Sequence, residues 1–395
     1  MIGFIGLDIA KDTFTAAFLW ADEHGQTHSR PSQTFSADQE GWQAFVNVWE
    51  ALPIQTWHIG LESSGPYTRL YLHHLQAKPH PVYLISPLQA GHLRRSQSLR
   101  KRKTDRIDAQ TLASWLFSAW QENRLPRPAR PFSALRDLAA LYDHLTQEMT
   151  RIQNRFRQVL YLLFPELERR QRHFPKGLRQ LLHKFSSAQQ IAQASEEDLA
   201  PFCRRLKWTP AKLRTLASTS WGIHDETAIL HLRELLALWD ELETRRQEVW
   251  RDLRQQVQQR FPDAWKRLRA IPGLGERSVA LFLALTGDLH AFDSPKALVA
   301  FVGLDPSVYQ SGHFKAHGRL SKRGSPHLRH VLFLMAQALV RYTHRFRQIF
   351  DHHRQRGRTY REGMIIVARK ALAIFHMLIL RQRDFMDVYP PPERL

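Results

Sequence analysis

Residues 1–85 alternate between short apolar runs and helical or turn segments, and this alternation constrains the fold more than any other feature. A helix is predicted over Ala37–Trp49, because Ser36 and Gln39 form a capping box at its start. The resulting order, β-β-β-α-β-α-β-α, predicts an α/β sheet domain. The predicted strands are Ile2–Ile9, Thr13–Trp20, a segment ending at Phe35, Trp57–Glu62 and Val82–Ile85.

Two of the predicted strands lead into an acidic residue, Asp8 in the first and Glu62 in the fourth. In open α/β sheets, functional residues gather at the carboxyl ends of the strands. If these two strands are neighbours, the two carboxylates converge. Each acid alone is equally compatible with an ordinary strand-end or surface residue.

A second acidic pair follows a cluster of cations at Lys101–Lys103. Thr104 is a good N-cap, and Asp105 and Asp108 lie three residues apart, so they share one helix face. Acids in a first turn also favour the helix macrodipole, which is the simpler explanation. Together with Asp8 and Glu62, however, they would complete a four-carboxylate cage for two Mg²⁺ ions about 4 Å apart.

The excess of basic over acidic residues predicts a polyanionic partner, and nucleic acid is the first choice. The chain has 57 Lys and Arg against 37 Asp and Glu, which gives a net charge of +20. A dense basic run precedes the acidic helix and suits phosphate contacts, although a solvated charged loop has the same composition. Its residues are Arg94, Arg95, Arg100, Lys101, Arg102 and Lys103.

Other features argue against membrane and disulfide-bonded classes. The most apolar late stretch, Met364–Leu380, is interrupted by Arg369, Lys370 and His376, so a packed helix and no membrane partner are expected. Cys203 is the single cysteine, which excludes an internal disulfide and a cysteine zinc site. We expect a cytoplasmic protein.

The middle of the chain changes character after the proline-marked linker Pro126–Pro131. Heptad stripes predict two long helices, either as an antiparallel coiled-coil arm or dimer zipper, or as a simple helical bundle. The predicted domains are therefore 1–125, 131–264 and 265–395. The stripes contain Leu138, Leu145, Met149, Ile152, Phe156, Val159 and Leu163, then Leu235, Trp239, Leu242, Val249 and Leu253.

Ile271–Gly275 has the form of a helix-hairpin-helix turn. Gly273 and Gly275 would let a tight turn present backbone N–H groups to a DNA phosphate. The alternative is a helix connection with ordinary turn glycines.

A glycine-punctuated loop between residues 303 and 324 carries hydroxyl groups and cations. Tyr309, Ser311 and Ser321 are all candidate nucleophiles by chemistry alone. The cations Arg319, Lys322 and Arg323 could hold a scissile phosphate. A phosphate-binding loop without covalent chemistry fits the same residues.

Three segments, Gly6–Lys11, Leu61–Tyr67 and Lys103–Ala109, resemble the signature segments of DEDD transposases. These insertion-sequence recombinases have a RuvC-like, RNase H-type nuclease domain and are related to the Piv DNA invertases. The resemblance implies that Asp8, Glu62, Asp105 and Asp108 bind the metal. It also implies an α/β RuvC-like domain followed by an all-α part, with a central coiled-coil region and a C-terminal helix-hairpin-helix domain.

The segment from Ile271 to about Arg341 resembles the second conserved domain of the same transposases. There a serine just before a glycine is the nucleophile, which implies this role for Ser311. The resemblance further implies Mg²⁺, a covalent phosphoserine link to donor and target DNA, a dimer of dimers, and a structured bridge RNA as guide. The alternatives are a RuvC-like structure-specific endonuclease that uses water, and an architectural DNA- or RNA-binding protein.

Overall fold

The computed structural model describes residues 1–22, 24, 26–63, 65–87, 89–91, 93, 104–130, 133–171, 173–206, 208–305, 309–311, 314–316, 320–322 and 324–387. The chain divides into two compact units, Met1–Phe132 and Ser133–Leu395. The first unit is a sheet with helices on it, and the second is almost entirely helical.

The first unit is built on a five-stranded sheet in the order β3-β2-β1-β4-β5. β2 is antiparallel to β1 and β3, whereas β4 is parallel to β1 and to β5. The strands are β1 Ile2–Ile9, β2 Thr13–Ala21, β3 Thr27–Ser36, β4 Thr56–Glu62 and β5 Val82–Ile85, and the helices are α1 Gln39–Glu50, α2 Pro66–Gln76 and α3 Asp105–Gln121.

The two faces of β1 pack against different partners because side chains alternate along a strand. Ile5 and Leu7 join a core that contains Phe45 of α1. Phe4, on the opposite face, packs against Phe117 of α3, with ring centroids 5.4 Å apart. The sheet is therefore covered on both sides, with α3 on the even-numbered face of β1.

The start of α1 corrects one local prediction. Asp38, and not Ser36, is its N-cap, and the Asp38 carboxylate accepts a 2.8 Å hydrogen bond from the Gly41 amide. Ser36 ends β3 and donates its hydroxyl to the same carboxylate. The predicted capping box is wrong because a charged acceptor close to the free amides takes the capping position.

The second unit contains a long antiparallel helix pair. Tyr142, near the start of α4, packs on Trp250 near the end of α10, and Phe156 further along α4 packs on Trp239. The elements are α4 Ala134–Leu163, α5 Pro165–Arg170, α6 Lys176–Lys184, α7 Ala188–Gln193, α8 Glu196–Leu206, α9 Pro210–Ser218, α10 Glu226–Arg260, α11 Pro262–Arg269, α12 Glu276–Thr286, a 3₁₀ turn Leu289–Ala291, α13 Pro295–Val302, β6 Tyr309–Ser311, β7 Phe314–Ala316, α14 Pro326–Tyr342, α15 His344–Gln355 and α16 Tyr360–Leu380.

This helix pair connects two apolar cores. One core lies among the short helices α5–α9, and the other lies among α11–α16. Of the described helices, α16 alone is long and apolar enough to cross a bilayer, but most of its apolar window is buried in the second core. The predicted architecture, an α/β unit followed by helical regions, is confirmed.

Candidate active site

Asp8 and Glu62 lie side by side at the carboxyl ends of two neighbouring parallel strands. β1 and β4 pair in register up to Leu7 and Leu61, so the two acids occupy the next position of each strand. Both side chains are half-buried. The convergence predicted from the strand ends is thus present in the register of the sheet.

The same acids face α3. A Cβ on Gly6 would lie 2.0 Å from the Ala109 carbonyl oxygen, so β1 and α3 touch backbone to backbone at that point. Gly60 on β4 also lies beneath α3, where a Cβ would be 2.8 Å from Cδ1 of Leu116. Asp8 and Glu62 are each two residues further along their strands, so their side chains point to the helix-covered face.

Helix α3 runs against the direction of β1, which brings its first turn to the acidic end. Its later residues Phe117 and Trp120 pack on Phe4, and Ala109 lies over Gly6. Asp105 and Asp108 come before these contacts in α3, so they lie towards the carboxyl end of β1, where Asp8 is located. Asp105 is exposed, whereas Asp108 is 4% exposed.

Local hydrogen bonds fix this end of the sheet. The Thr104 hydroxyl caps α3 by accepting from the Ile107 amide at 3.4 Å, as the sequence predicts. The Thr68 hydroxyl donates to the Glu62 carbonyl oxygen at 3.1 Å, which ties α2 to the end of β4. The acids are therefore carried on rigid elements.

The donor chemistry of this acidic end fits a hard divalent cation, because its ligands would be carboxylate oxygens. Within the described residues, no three Asp, Glu, His or Cys side chains are grouped closely enough to hold a metal ion. Asp8, Glu62, Asp105 and Asp108 lie towards one end of the sheet face that α3 covers, and they are the residues that would hold such a cation. The predicted basic residues Arg94, Arg95 and Arg100–Lys103 lie outside the described residues.

In the second unit, the two glycines of the hairpin turn have different structural roles. Gly273 has φ +84°, and a Cβ there would lie 2.6 Å from Tyr342 Cδ2, so its turn packs tightly on α14. Gly275 has an ordinary φ of −74°, is exposed and precedes α12, with open space around it. Glycine at 273 is therefore favoured by its positive φ and by its packing on Tyr342, whereas Gly275 leaves open space before α12.

Ser311 lies in β6 of a two-stranded hairpin, where it pairs with Phe314 of β7. Its side chain, and Arg319 and Arg323 altogether, lie outside what the structure describes. Lys322 is exposed and has a positive φ of +52°, an uncommon conformation for a residue other than glycine. A backbone of this kind persists only where surrounding contacts hold it.

A set of hydrogen bonds, here called the loop clasp, closes the base of the segment that carries Ser311. The Ser321 amide donates to the Asp305 carbonyl oxygen at 3.0 Å, and the Ser321 hydroxyl donates to the Asp305 carboxylate. The Lys322 amide donates to the Gly303 carbonyl oxygen at 3.2 Å. Ser321, a candidate nucleophile by chemistry alone, is thus engaged in closing the loop.

Arg329 on α14 completes the loop clasp. Its Nη1 lies 3.3 Å from the Val302 carbonyl oxygen, 3.3 Å from that of Lys322 and 2.5 Å from that of Gly324. It therefore holds both ends of the loop to one helix. Sequence reasoning missed Asp305 and Arg329, because no local pattern marks a side chain that binds distant carbonyl groups.

Comparison with known proteins identifies two segments of this chain as transposase sequences. A model of DEDD-type IS110 transposases matches residues 5–165, and a model of the IS116/IS110/IS902 transposase family matches residues 265–351. The pilin gene-inverting protein of Moraxella lacunata is 24% identical over 391 residues, which cover 97% of each chain. An insertion element IS110 protein of Streptomyces coelicolor is 30% identical over 125 residues, 31% of this chain and 30% of that one.

Among solved structures, RuvC of T. thermophilus in complex with a Holliday junction substrate aligns with 32% of this chain and 99% of its own. The identity is 8% and the TM-score is 0.25, which is too low to establish a common fold. The two family models, in contrast, match both the unit with the acids and the segment around Ser311. The chain belongs to the IS116/IS110/IS902 family of transposases, enzymes that cut and recombine DNA.

Proposed function

We propose that this transposase recombines DNA through a covalent phosphoserine intermediate at Ser311, with Mg²⁺ held by Asp8, Glu62, Asp105 and Asp108. The observation that carries the proposal is the in-register pairing of β1 and β4, which sets Asp8 beside Glu62 under the first turn of α3. Family membership supports it, since the two matched segments contain the four acids and the serine.

The covalent step is a transesterification. The Ser311 oxygen bonds to phosphorus, the bond between phosphorus and the 3′ oxygen breaks, and the proton of the serine hydroxyl is lost as the leaving oxygen gains one. The reverse attack by a 3′ hydroxyl restores a phosphodiester without an external energy source. When bound, Mg²⁺ would supply positive charge for the scissile phosphate.

The chain's own residues prepare this step. The carboxylates provide hard oxygen ligands on rigid strand and helix ends. Lys322 is exposed at the base of the Ser311 loop and is available to a phosphate oxygen. The loop clasp holds that base, so it limits where the hairpin can place the serine.

The proposed partners are donor and target duplexes, a structured bridge RNA that selects them, and further copies of this chain in a dimer of dimers. The net charge of +20 supports a partner set with many phosphates. The pilin gene-inverting relative suggests inversion as an alternative to insertion for the natural event.

A denaturing gel tests the covalent step. Purified protein is mixed with labelled DNA that carries the element junction, with Mg²⁺ and with the candidate RNA. We expect a protein–DNA adduct that Ser311→Ala abolishes and that the control Ser218→Ala, at an exposed serine that ends α9, retains. Free cleaved DNA without an adduct, unchanged in Ser311→Ala, would identify a nuclease that uses water and would overturn the proposal.

The metal assignment has a separate test that does not depend on activity. Binding of Mn²⁺, followed by its electron paramagnetic resonance signal, should weaken at least about tenfold in Asp8→Asn. Asp12→Asn is the matched control, because Asp12 is an exposed acid in the turn after β1. Equal Mn²⁺ affinity in the two variants would remove Asp8 from the metal site.

A further inference from the structure

A cavity of about 560 Å³ lies in the second unit beside the loop clasp. Leu304, just before the Ser311 loop, and Leu320 and Lys322, just after it, are part of its wall. Whatever this cavity binds is therefore held next to both ends of the loop. Its size is within the range of small-ligand sites in proteins.

The cavity has an apolar floor. On α14, Phe333 lies one helical turn after Arg329, and Leu334 lies one turn after His330; all four residues line the cavity. Ile365 and Ala368 come from α16 on the other side. Leu334 is 47% exposed, an unusual exposure for a large apolar side chain inside a concave surface.

Cations surround this apolar floor. The cations Lys322 and Arg361 are exposed, Arg329 is partly buried at the clasp, and the ring of His330 is exposed beside them. An apolar ligand would gain nothing from the cations, and a duplex backbone would gain nothing from the floor. The combination suits a flat apolar group that carries a phosphate, which is the chemistry of a nucleotide.

We propose that this cavity binds one unstacked nucleotide of a DNA strand, with its base against Phe333 and Leu334 and its phosphate near Lys322 and Arg361. The inference rests on the proposed function, because the captured nucleotide would lie next to the scissile phosphate. Arg329 then links the two parts, since it lines the cavity and also binds the ends of the Ser311 loop. Holding an unstacked base would fix the register of the strand.

The test uses the full-length protein and a single-stranded DNA ten-mer with one central 2-aminopurine. The fluorescence of this base rises when the base no longer stacks on its neighbours in the strand. We expect wild-type protein to raise the fluorescence, and Leu334→Glu to abolish the rise and weaken binding about tenfold. Leu230→Glu is the matched control, since Leu230 is 60% exposed on α10. Circular dichroism confirms that both variants are folded.

A second pair of variants covers the case in which Leu334→Glu does not fold. Arg361→Gln should reduce the fluorescence change several-fold, whereas Arg356→Gln, which removes the same charge from a nearby exposed position, should not. An abasic residue in place of 2-aminopurine should bind the wild type about as weakly as the intact oligonucleotide binds Leu334→Glu. If the abasic oligonucleotide binds as tightly as the intact one, the cavity holds no base and the inference fails.

Two further outcomes would also overturn the inference. Tighter capture of the same sequence made of RNA would make guide RNA, and not DNA, the occupant. Equal signals from all variants would mean that the cavity is closed to nucleotides, for example by the loop itself. Ser311→Ala should behave as wild type in this binding assay, so failure here and failure of the phosphoserine proposal are separable.

Discussion

The acidic end of the first unit and the Ser311 loop of the second are positioned by different means. Asp8 and Glu62 are placed by strand register, and α3 is placed by its backbone contact with Gly6. The base of the Ser311 loop is held by side chains that reach carbonyl groups, mainly Arg329. The first arrangement follows from repeating patterns, and the second from a few individual hydrogen bonds.

This difference has consequences for how each region responds to substitution. Packing between two backbones has no flexible part that can adjust, so a small steric change at the acidic end displaces a whole element. The loop clasp consists of several bonds around one helix, so losing one of them loosens the loop and leaves the core intact. Steric substitutions at the contact between β1 and α3 should therefore reduce stability, whereas loss of a clasp bond should mainly reduce activity.

The largest effect is expected for Gly6→Ala. Its Cβ would meet the Ala109 carbonyl oxygen at 2.0 Å and the Ala113 amide at 2.6 Å, so α3 must move off the sheet. We expect a loss of about 3 kcal/mol or more in the free energy of unfolding, measured with urea, together with weaker Mn²⁺ binding. Gly60→Ala is the graded control, because its nearest neighbour is the end of the Leu116 side chain. Equal stability of the two variants would contradict a backbone contact at Gly6.

Arg329→Gln should lower the rate of adduct formation about a hundredfold, since a misplaced reacting group costs about that much. Hydrogen exchange at the Ser321 and Lys322 amides, which the clasp protects, should accelerate, while the melting temperature changes little. Arg347→Gln, an exposed arginine on α15, is the matched control. Unchanged amide exchange in Arg329→Gln would show that the other bonds suffice to hold the loop.

Gly273→Ala and Gly275→Ala separate packing from phosphate contact within one short turn. Gly273 has φ +84° and lies against Tyr342, so its alanine variant should lose about 1–3 kcal/mol in the free energy of unfolding. Gly275→Ala should unfold as the wild type does and show weaker DNA binding in a filter assay. A stable Gly273→Ala protein would mean that the turn can shift away from α14.

The smallest effect concerns the pH dependence of stability in the first unit. Burial lowers the pKa of His58, whose ring stacks on Phe4 and whose Nδ1 lies 2.8 Å from the Tyr83 hydroxyl. The neutral ring therefore favours folding above the unfolded pKa of about 6.5, and this contribution is lost as pH falls towards the lower folded pKa. His58→Gln should reduce the difference in urea midpoint between pH 7.5 and 5.5. His231→Gln, an exposed histidine on α10, should not.

Much of the first unit was predictable because its rules are local. Short apolar runs predicted the strands, Thr104 predicted the start of α3, and the register that sets Asp8 beside Glu62 agrees with the convergence expected from the strand ends. The N-cap of α1 was predicted two residues too early, because the charged Asp38 takes the capping position and the Ser36 hydroxyl donates to it. The roles of the four acids and of Ser311 remain predictions, as do the proposed domain boundaries.

The sequence by itself determined the element order, the strand-end acids, the net positive charge and the family, since each depends on residue types or on their short spacings. Only the tertiary structure decided which glycine of the hairpin turn is required by packing, and that Ser321 and Asp305 close a loop held by Arg329. It also formed the cavity beside that loop from α14 and α16. These features join residues far apart in the chain, and local spacing does not encode which distant carbonyl group or helix face a side chain will meet.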